Sequence, residues 1–197
     1  MINQPSSVKL NLGCGERKKE GYINVDWKPG LGPDVVHDLN IVPYPFEESS
    51  VDLVEADHVL EHLDRPFFIM KELHRILKPG GVLKIKVPHF SRGFTHAEHT
   101  HGFDVTFPFY FSKDFAKEGF EAGGKSEFGS DKTRLHWHAF PHLLSRSGHG
   151  PAAVAVMAVL NAIISFLANL SPSFCSRIWC FWVGGFEEIE FNFTCIK

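Results

Sequence analysis

Two kinds of residue in this 197-residue chain have chemistry to offer: acids that close short apolar runs, and histidines gathered behind them. Val8 to Leu12 is apolar and runs into Gly13-Cys14-Gly15. Asp26, Asp38 and Asp57 each end a later apolar run. Glycines after a strand let backbone approach a ligand closely, and a carboxylate at the next strand end can accept both hydroxyls of a ribose. Acids on successive strands place polar groups along one carboxyl edge, where open α/β sheets bind ligands. The histidines behind that edge are His58, His62, His89, His96, His99 and His101. Imidazole is the usual proton acceptor near neutral pH. His99, His89 and His62 are the candidate catalytic residues; a bland alternative is a cap or pair with Glu61 for His62 and loop packing for His89.

The same segment permits a second chemistry. His96, His99 and His101 with Glu98 are ligand types for zinc or iron. Their spacing matches no established zinc motif, so a metal-dependent enzyme stands as an alternative and no metal ligand is assigned. An aromatic, histidine-bearing lid over residues 90–130 is the preferred reading of the segment.

These residues need a scaffold. Five short strands are expected at Val8–Leu12, Tyr22–Val25, within Asp34–Leu39, at Val51–Ala56 and at Val82–Val87. Phe67, Phe68, Met70, Leu73, Ile76 and Leu77 recur at helical spacing, opened by Pro66 and stopped by Lys78-Pro79-Gly80-Gly81. Strand, helix and strand in that order make a βαβ unit and hence a parallel sheet. Ser112–Phe120 reads as a short helix capped by Ser112, and Thr133–Phe140 as a sixth strand. Glu187–Lys197 alternates Ile189, Phe191, Phe193 and Cys195 with polar residues, the pattern of a half-buried strand. The expected fold is α/β and Rossmann-like, a mostly parallel sheet with an antiparallel C-terminal strand, in one domain over 1–197 with its cofactor half at 1–90.

At this point a resemblance is clear. Leu10-Asn11-Leu12-Gly13-Cys14-Gly15 resembles the first motif of class I S-adenosylmethionine-dependent methyltransferases, and Asp26 the ribose-binding acid of that family. His37-Asp38-Leu39 resembles its adenine-contacting turn. Val59-Leu60-Glu61-His62-Leu63 is similar to the segment after the fourth strand in the type 11 branch, and Leu77-Lys78-Pro79-Gly80-Gly81 to the motif before the fifth. The resemblance covers about residues 8–90, with a weaker match at the terminal strand. It implies S-adenosyl-L-methionine as cofactor, held by Gly13, Cys14, Gly15, Asp26, Asp38, Leu39, Asp57 and His58. His99 resembles a histidine that recurs after the fifth strand in small relatives. One departure stands out: ten residues separate Gly15 from Asp26, room for about one helical turn at Glu16–Glu20. That shortening motivates a rival function, a non-catalytic nucleotide-binding module.

Composition narrows the partners. A net charge of −3 gives no basic field for nucleic acid. Four scattered cysteines form neither a disulfide framework nor a CxxC site, and no signal-peptide pattern opens the chain, so a cytoplasmic setting is expected. Lys132–Phe186 lacks Asp and Glu, and within it Ala152–Leu170 is apolar except for Asn161, Ser165 and Asn169. This apolar insertion, at about 150–185, has three readings: a helix buried against the sheet or in a homodimer, a peripheral membrane contact through 152–183, or a membrane span. The second would make the methyl acceptor a lipid or lipid-linked sugar rather than another small molecule.

Overall fold

The computed structural model describes residues 7–93, 96–112, 126–140, 148 and 150–197. Among them seven strands form one sheet: β1 (Lys9–Leu12), β2 (Ile23–Asp26), β3 (Val35–Val36), β4 (Val51–Asp57), β5 (Leu77–Pro88), β6 (Glu127–His136) and β7 (Glu188–Ile196). Their order is β3-β2-β1-β4-β5-β7-β6. β1 to β5 run parallel, and β7 is antiparallel to both its neighbours. This is the expected α/β arrangement. The chain winds outward from β1 to β3 and then restarts at β4 on the other side of β1, so the direction of winding reverses between β1 and β4.

Strands buried on both faces read as near-continuous apolar runs. Leu10, Val54, Leu83, Ile85, Val87, Ile189, Phe191 and Phe193 are fully buried across the centre of the sheet. Helix α1 (Pro66–Ile76) begins at a proline, whose missing N–H costs nothing in a first turn. It buries Ile69, Met70, Leu73 and Ile76, one face at helical spacing. Each such side chain contributes about 1.5–3 kcal/mol.

Of the described residues in the expected lid, Phe103, Phe107 and Phe111 serve this core. Phe103, Phe107 and Phe111 are buried, the last two in a 3-10 turn (Phe107–Phe111), and Phe107 packs 5.6 Å from Phe191. Within that segment Glu98 lines the cleft and His99 packs against His62. Ser112 closes the 3-10 turn, and the rest of the expected helix, 113–120, lies outside the described residues. The sixth strand occupies Glu127–His136, earlier than Thr133–Phe140. The N–H groups of His138 and Ala139 are taken by the side chains of Asn161 and Glu187, which leaves none for a continuing ladder. Glu16–Glu20 forms no helical turn.

After the short α2 (Phe90–Gly93) comes α3 (Pro151–Ala168), then α4 (Pro172–Arg177). α3 is amphipathic in the reverse sense. Its polar stripe faces inward: Asn161 bonds the N–H and C=O of His138, Ser165 accepts the N–H of Trp137, and Asn169 bonds the N–H and C=O of Leu135. Ala168 is its one buried residue. The expectation of a helix packed by apolar contacts on the sheet is therefore corrected within this chain.

Candidate functional site

The first candidate, Gly13, follows β1 with a φ of +59°, a left-handed value that glycine adopts without strain. A Cβ there would lie 2.4 Å from Val59 Cγ2. Its backbone borders a cleft of about 620 Å³ also lined by Asp26, Trp27, Asp38, Leu39, His58 and His62. Asp26 is nearly buried at the end of β2. One oxygen accepts the N–H of Gly15 at 2.9 Å and the other that of Lys28 at 3.0 Å. Each oxygen has a second lone pair, so the acid fixes the glycine turn and keeps capacity for a ligand hydroxyl.

The stretch that lacks a helix is held by two buried amides. Asn11 donates from Nδ2 to the Arg17 carbonyl (3.0 Å) and to Asn24 Oδ1 (2.9 Å). Asn24 Oδ1 also accepts the Lys19 N–H at 2.8 Å, and its Nδ2 reaches the carbonyls of Lys19 and Tyr22. Buried polar groups need such partners, and here they replace an intrahelical ladder.

Asp38 is exposed and accepts the N–H of Asn40, closing the turn after β3. Leu39 is buried and its carbonyl accepts the Tyr44 hydroxyl at 2.9 Å. Burial, together with Glu72 and Asp38, pushes that phenol well above its usual range, so it remains a donor. Cys14 is buried with its thiol pushed up by burial and by Asp26, which keeps it protonated and unreactive. Asp57 ends β4 beside His58 but does not line the cleft.

His58 sits at a φ of +56°, an uncommon value outside glycine. Its Nδ1 lies 3.1 Å from Glu61 Oε1 and its Nε2 2.9 Å from Glu188 Oε2. Burial opposes its charge, but the paired bonds to Glu188 and Glu61 outweigh that and raise its pKa to about 9. It is therefore a fixed cation wedged between two carboxylates. Glu188 escaped the sequence reading because it falls on the polar register of β7; β6 flanks that strand and leaves the residue 5% exposed.

His62 is exposed at the cleft and His99 stands over it, ring centroids 4.9 Å apart. Both the N–H and the hydroxyl of Thr100 donate to the Glu61 carbonyl, each at 3.0 Å, which docks the histidine turn. His96 stacks on His99 at 4.8 Å, and His101 pairs with the Thr100 hydroxyl, so the set His96, His99 and His101 does not converge. Instead Glu61, His62 and His99 come together, as do Asp57, His58 and Glu188.

His89 departs from expectation. It is wholly buried, with Nδ1 on Ser91 and Nε2 on Ser176, each at 2.8 Å, and does not meet the cleft. Burial drops its pKa to about 4. Conversely, Trp27, 64% exposed at the cleft rim, carried no motif signal and offers a flat apolar face beside Asp26.

Comparison with known proteins gives a consistent picture. Residues 17–85 match the type 11 methyltransferase-domain family model. Dimethylglycine N-methyltransferase of Parasynechococcus marenigrum (strain WH8102) is 29% identical over 85 residues, 43% of this chain; the match spans 30% of that relative, under a third of its length. An S-adenosylmethionine-dependent methyltransferase from Archaeoglobus fulgidus superposes with a TM-score of 0.57 at 17% identity, covering 96% of this chain and 86% of its own. One from Mesorhizobium loti gives 0.57 at 12% identity, covering 96% and 91%.

Proposed function

We infer that this chain is a class I S-adenosylmethionine-dependent methyltransferase and that it transfers a methyl group to an acceptor that enters the cleft beside His62, next to the His99 ring. The observation that carries this reading is the meeting, in one cleft at the strand-order reversal, of the Gly13 backbone, the Asp26 carboxylate, Leu39 and His62. The residues fit the cofactor. Gly13, seated against Val59, presents its backbone to the cleft, Asp26 has free lone pairs for ribose hydroxyls, and Trp27 and Leu39 give apolar borders for a base. Bound S-adenosyl-L-methionine supplies a methyl on a positively charged sulfur.

The chain's own residues then have three tasks. Gly13, Cys14 and Gly15 present backbone to the methionine end, and Asp26 anchors the ribose. His58, fixed by Glu61 and Glu188, forms a rigid wall. His62 and His99 meet the nucleophile of the acceptor, where alignment of reactants alone can supply roughly 7–11 kcal/mol. Titration calorimetry with S-adenosylhomocysteine tests the site: binding by the wild type and at least tenfold weaker binding by Asp26→Ala are expected. Equal affinity would overturn the assignment.

A specific observation favours a lipid-borne acceptor. α3 has a mean hydropathy of 2.2 over its 18 residues and turns its apolar side outward. Val156, Val159, Ile163 and Phe166 are more than half exposed, and Phe181 and Trp182 continue the surface at 67% and 81%. Exposed apolar surface on this scale marks an interaction site. Its occupant is a bilayer surface: no acid lies between Lys132 and Phe186, Lys132 and Arg134 are exposed, and tryptophan favours the membrane interface. Cosedimentation with anionic vesicles, reduced by Trp182→Ser with Phe166→Ser, is the expected result. A monomer that ignores vesicles, or a dimer that hides this face, would overturn the reading.

A further inference from the structure

Two clusters near the cleft bring three ligand-type atoms within 4.8 Å of one another, and they are not equivalent. In Asp57, His58 and Glu188, both ring nitrogens of His58 are engaged by carboxylates, so the ring has no free lone pair to give. That group is an ion-pair cluster.

In Glu61, His62 and His99 the situation is reversed. His99 Nδ1 lies 2.5 Å from the Gly93 carbonyl, and His62 Nδ1 lies 3.3 Å from the Glu98 carbonyl. A carbonyl only accepts, so each ring donates Nδ1–H and a neutral ring keeps its lone pair on Nε2. Backbone carbonyls that hold Nδ1–H in this way are the usual outer support of metal-bound imidazoles. The third member is more telling. Glu61 is fully buried; its Oε1 takes His58, while Oε2 has no hydrogen-bond partner among the described residues. An unpaired buried carboxylate oxygen is costly unless positive charge meets it. His58 Nδ1 already holds the other oxygen, as outer-shell donors do for ligating carboxylates.

We propose that Glu61, His62 and His99 bind one divalent transition-metal cation. Two imidazoles and one carboxylate suit zinc, cobalt, iron or manganese better than magnesium or calcium, which prefer all-oxygen shells. Three protein ligands leave coordination positions open. His62 borders the cleft, so an acceptor hydroxyl can enter one of them and lose its proton to solvent more readily. This deepens the proposed function, and rests on it only for what the cation does. The binding itself stands apart.

The test uses untagged protein stripped with a chelator and titrated with Co²⁺ and Zn²⁺, followed by cobalt visible absorption and calorimetry. One equivalent at micromolar affinity or tighter is expected, weakened at least tenfold in Glu61→Gln, His62→Ala and His99→Gln and unchanged in His96→Ala and His101→Ala. No stoichiometric uptake by the wild type, or equal loss in the His96 and His101 variants, overturns the site. S-adenosylhomocysteine titration of the same samples reports folding and separates the two claims. Cofactor binding without metal refutes the cation, while metal binding without cofactor refutes the methyl-transfer reading alone.

Discussion

His89 makes the fold itself sensitive to acid in a way that can be calculated. Its ring is wholly buried; the Ser91 N–H points at Nδ1 (3.3 Å), and Nε2 meets the Ser176 hydroxyl. The neutral ring with its proton on Nε2 satisfies both. A second proton would place a charge on a ring closed to solvent, whose nitrogens meet, among the described residues, only the hydroxyls of Ser91 and Ser176 and the Ser91 N–H, with no carboxylate bonded to it. Burial accordingly lowers the pKa from 6.5 to about 4, outweighing the opposing charge of Asp104. A group with a depressed folded pKa stabilises the fold fully above its unfolded pKa. That stability is lost as pH falls, because the unfolded chain takes up the proton first. The window is therefore pH 6.5 down to about 4. At about pH 5 the loss is roughly 2 kcal/mol, since each tenfold difference in proton affinity between the folded and unfolded chain is worth about 1.4 kcal/mol. The assay is urea unfolding of the wild type and His89→Asn at several pH values. The asparagine variant is less stable at neutral pH, and the gap between the two narrows by about 2 kcal/mol near pH 5. A gap that stays constant with pH would refute the reasoning, since the buried ring would then be titrating as it does in water.

Other consequences can be checked independently. Asp26→Ala removes the proposed ribose anchor and the acceptor for Gly15 and Lys28, so S-adenosylhomocysteine binding is expected to drop about 100-fold, roughly two charged hydrogen bonds, by calorimetry. Gly13→Ala forces a Cβ onto Val59 at a positive φ and lowers stability by about 1–3 kcal/mol in urea unfolding. Asn169→Leu strands the N–H and C=O of Leu135 and costs about 1–3 kcal/mol, with cofactor affinity unchanged. Asn24→Ala unties the 16–22 stretch, visible as faster amide exchange at Lys19 while β4 and β5 stay protected.

Much of the scaffold is legible because its signals are local. The apolar runs of β1, β4 and β5, the helical face of α1 and the alternation of β7 each predict their own burial. The glycine turn and Asp26 are legible for the same reason, being adjacent to strand ends. What was hidden depends on partners far apart in the chain. Nothing local in Glu188 shows that it meets His58, 130 positions away. His89 looks like a strand-end histidine until Ser176 closes over it. The phenylalanines near 107 read as a lid because sequence distance conceals Phe191. In α3 the polar stripe was visible from its four-residue spacing, but which side faced the protein was not. Backbone groups at the end of β6 decide that, since they require polar partners more strongly than the sheet there requires apolar cover.

The seating of α3 also bears on strand addition between copies of this chain. A terminal strand such as β6 offers a row of unpaired amides to which any extended peptide can add. At Leu135, Trp137 and His138 those groups are occupied by asparagine and serine side chains, which have no further strand to offer. The helix thus works as a stopper, and polymerisation by strand addition ends where it sits. A chain that loses this contact exposes a pairing edge next to a large apolar surface, the combination from which ordered aggregates start.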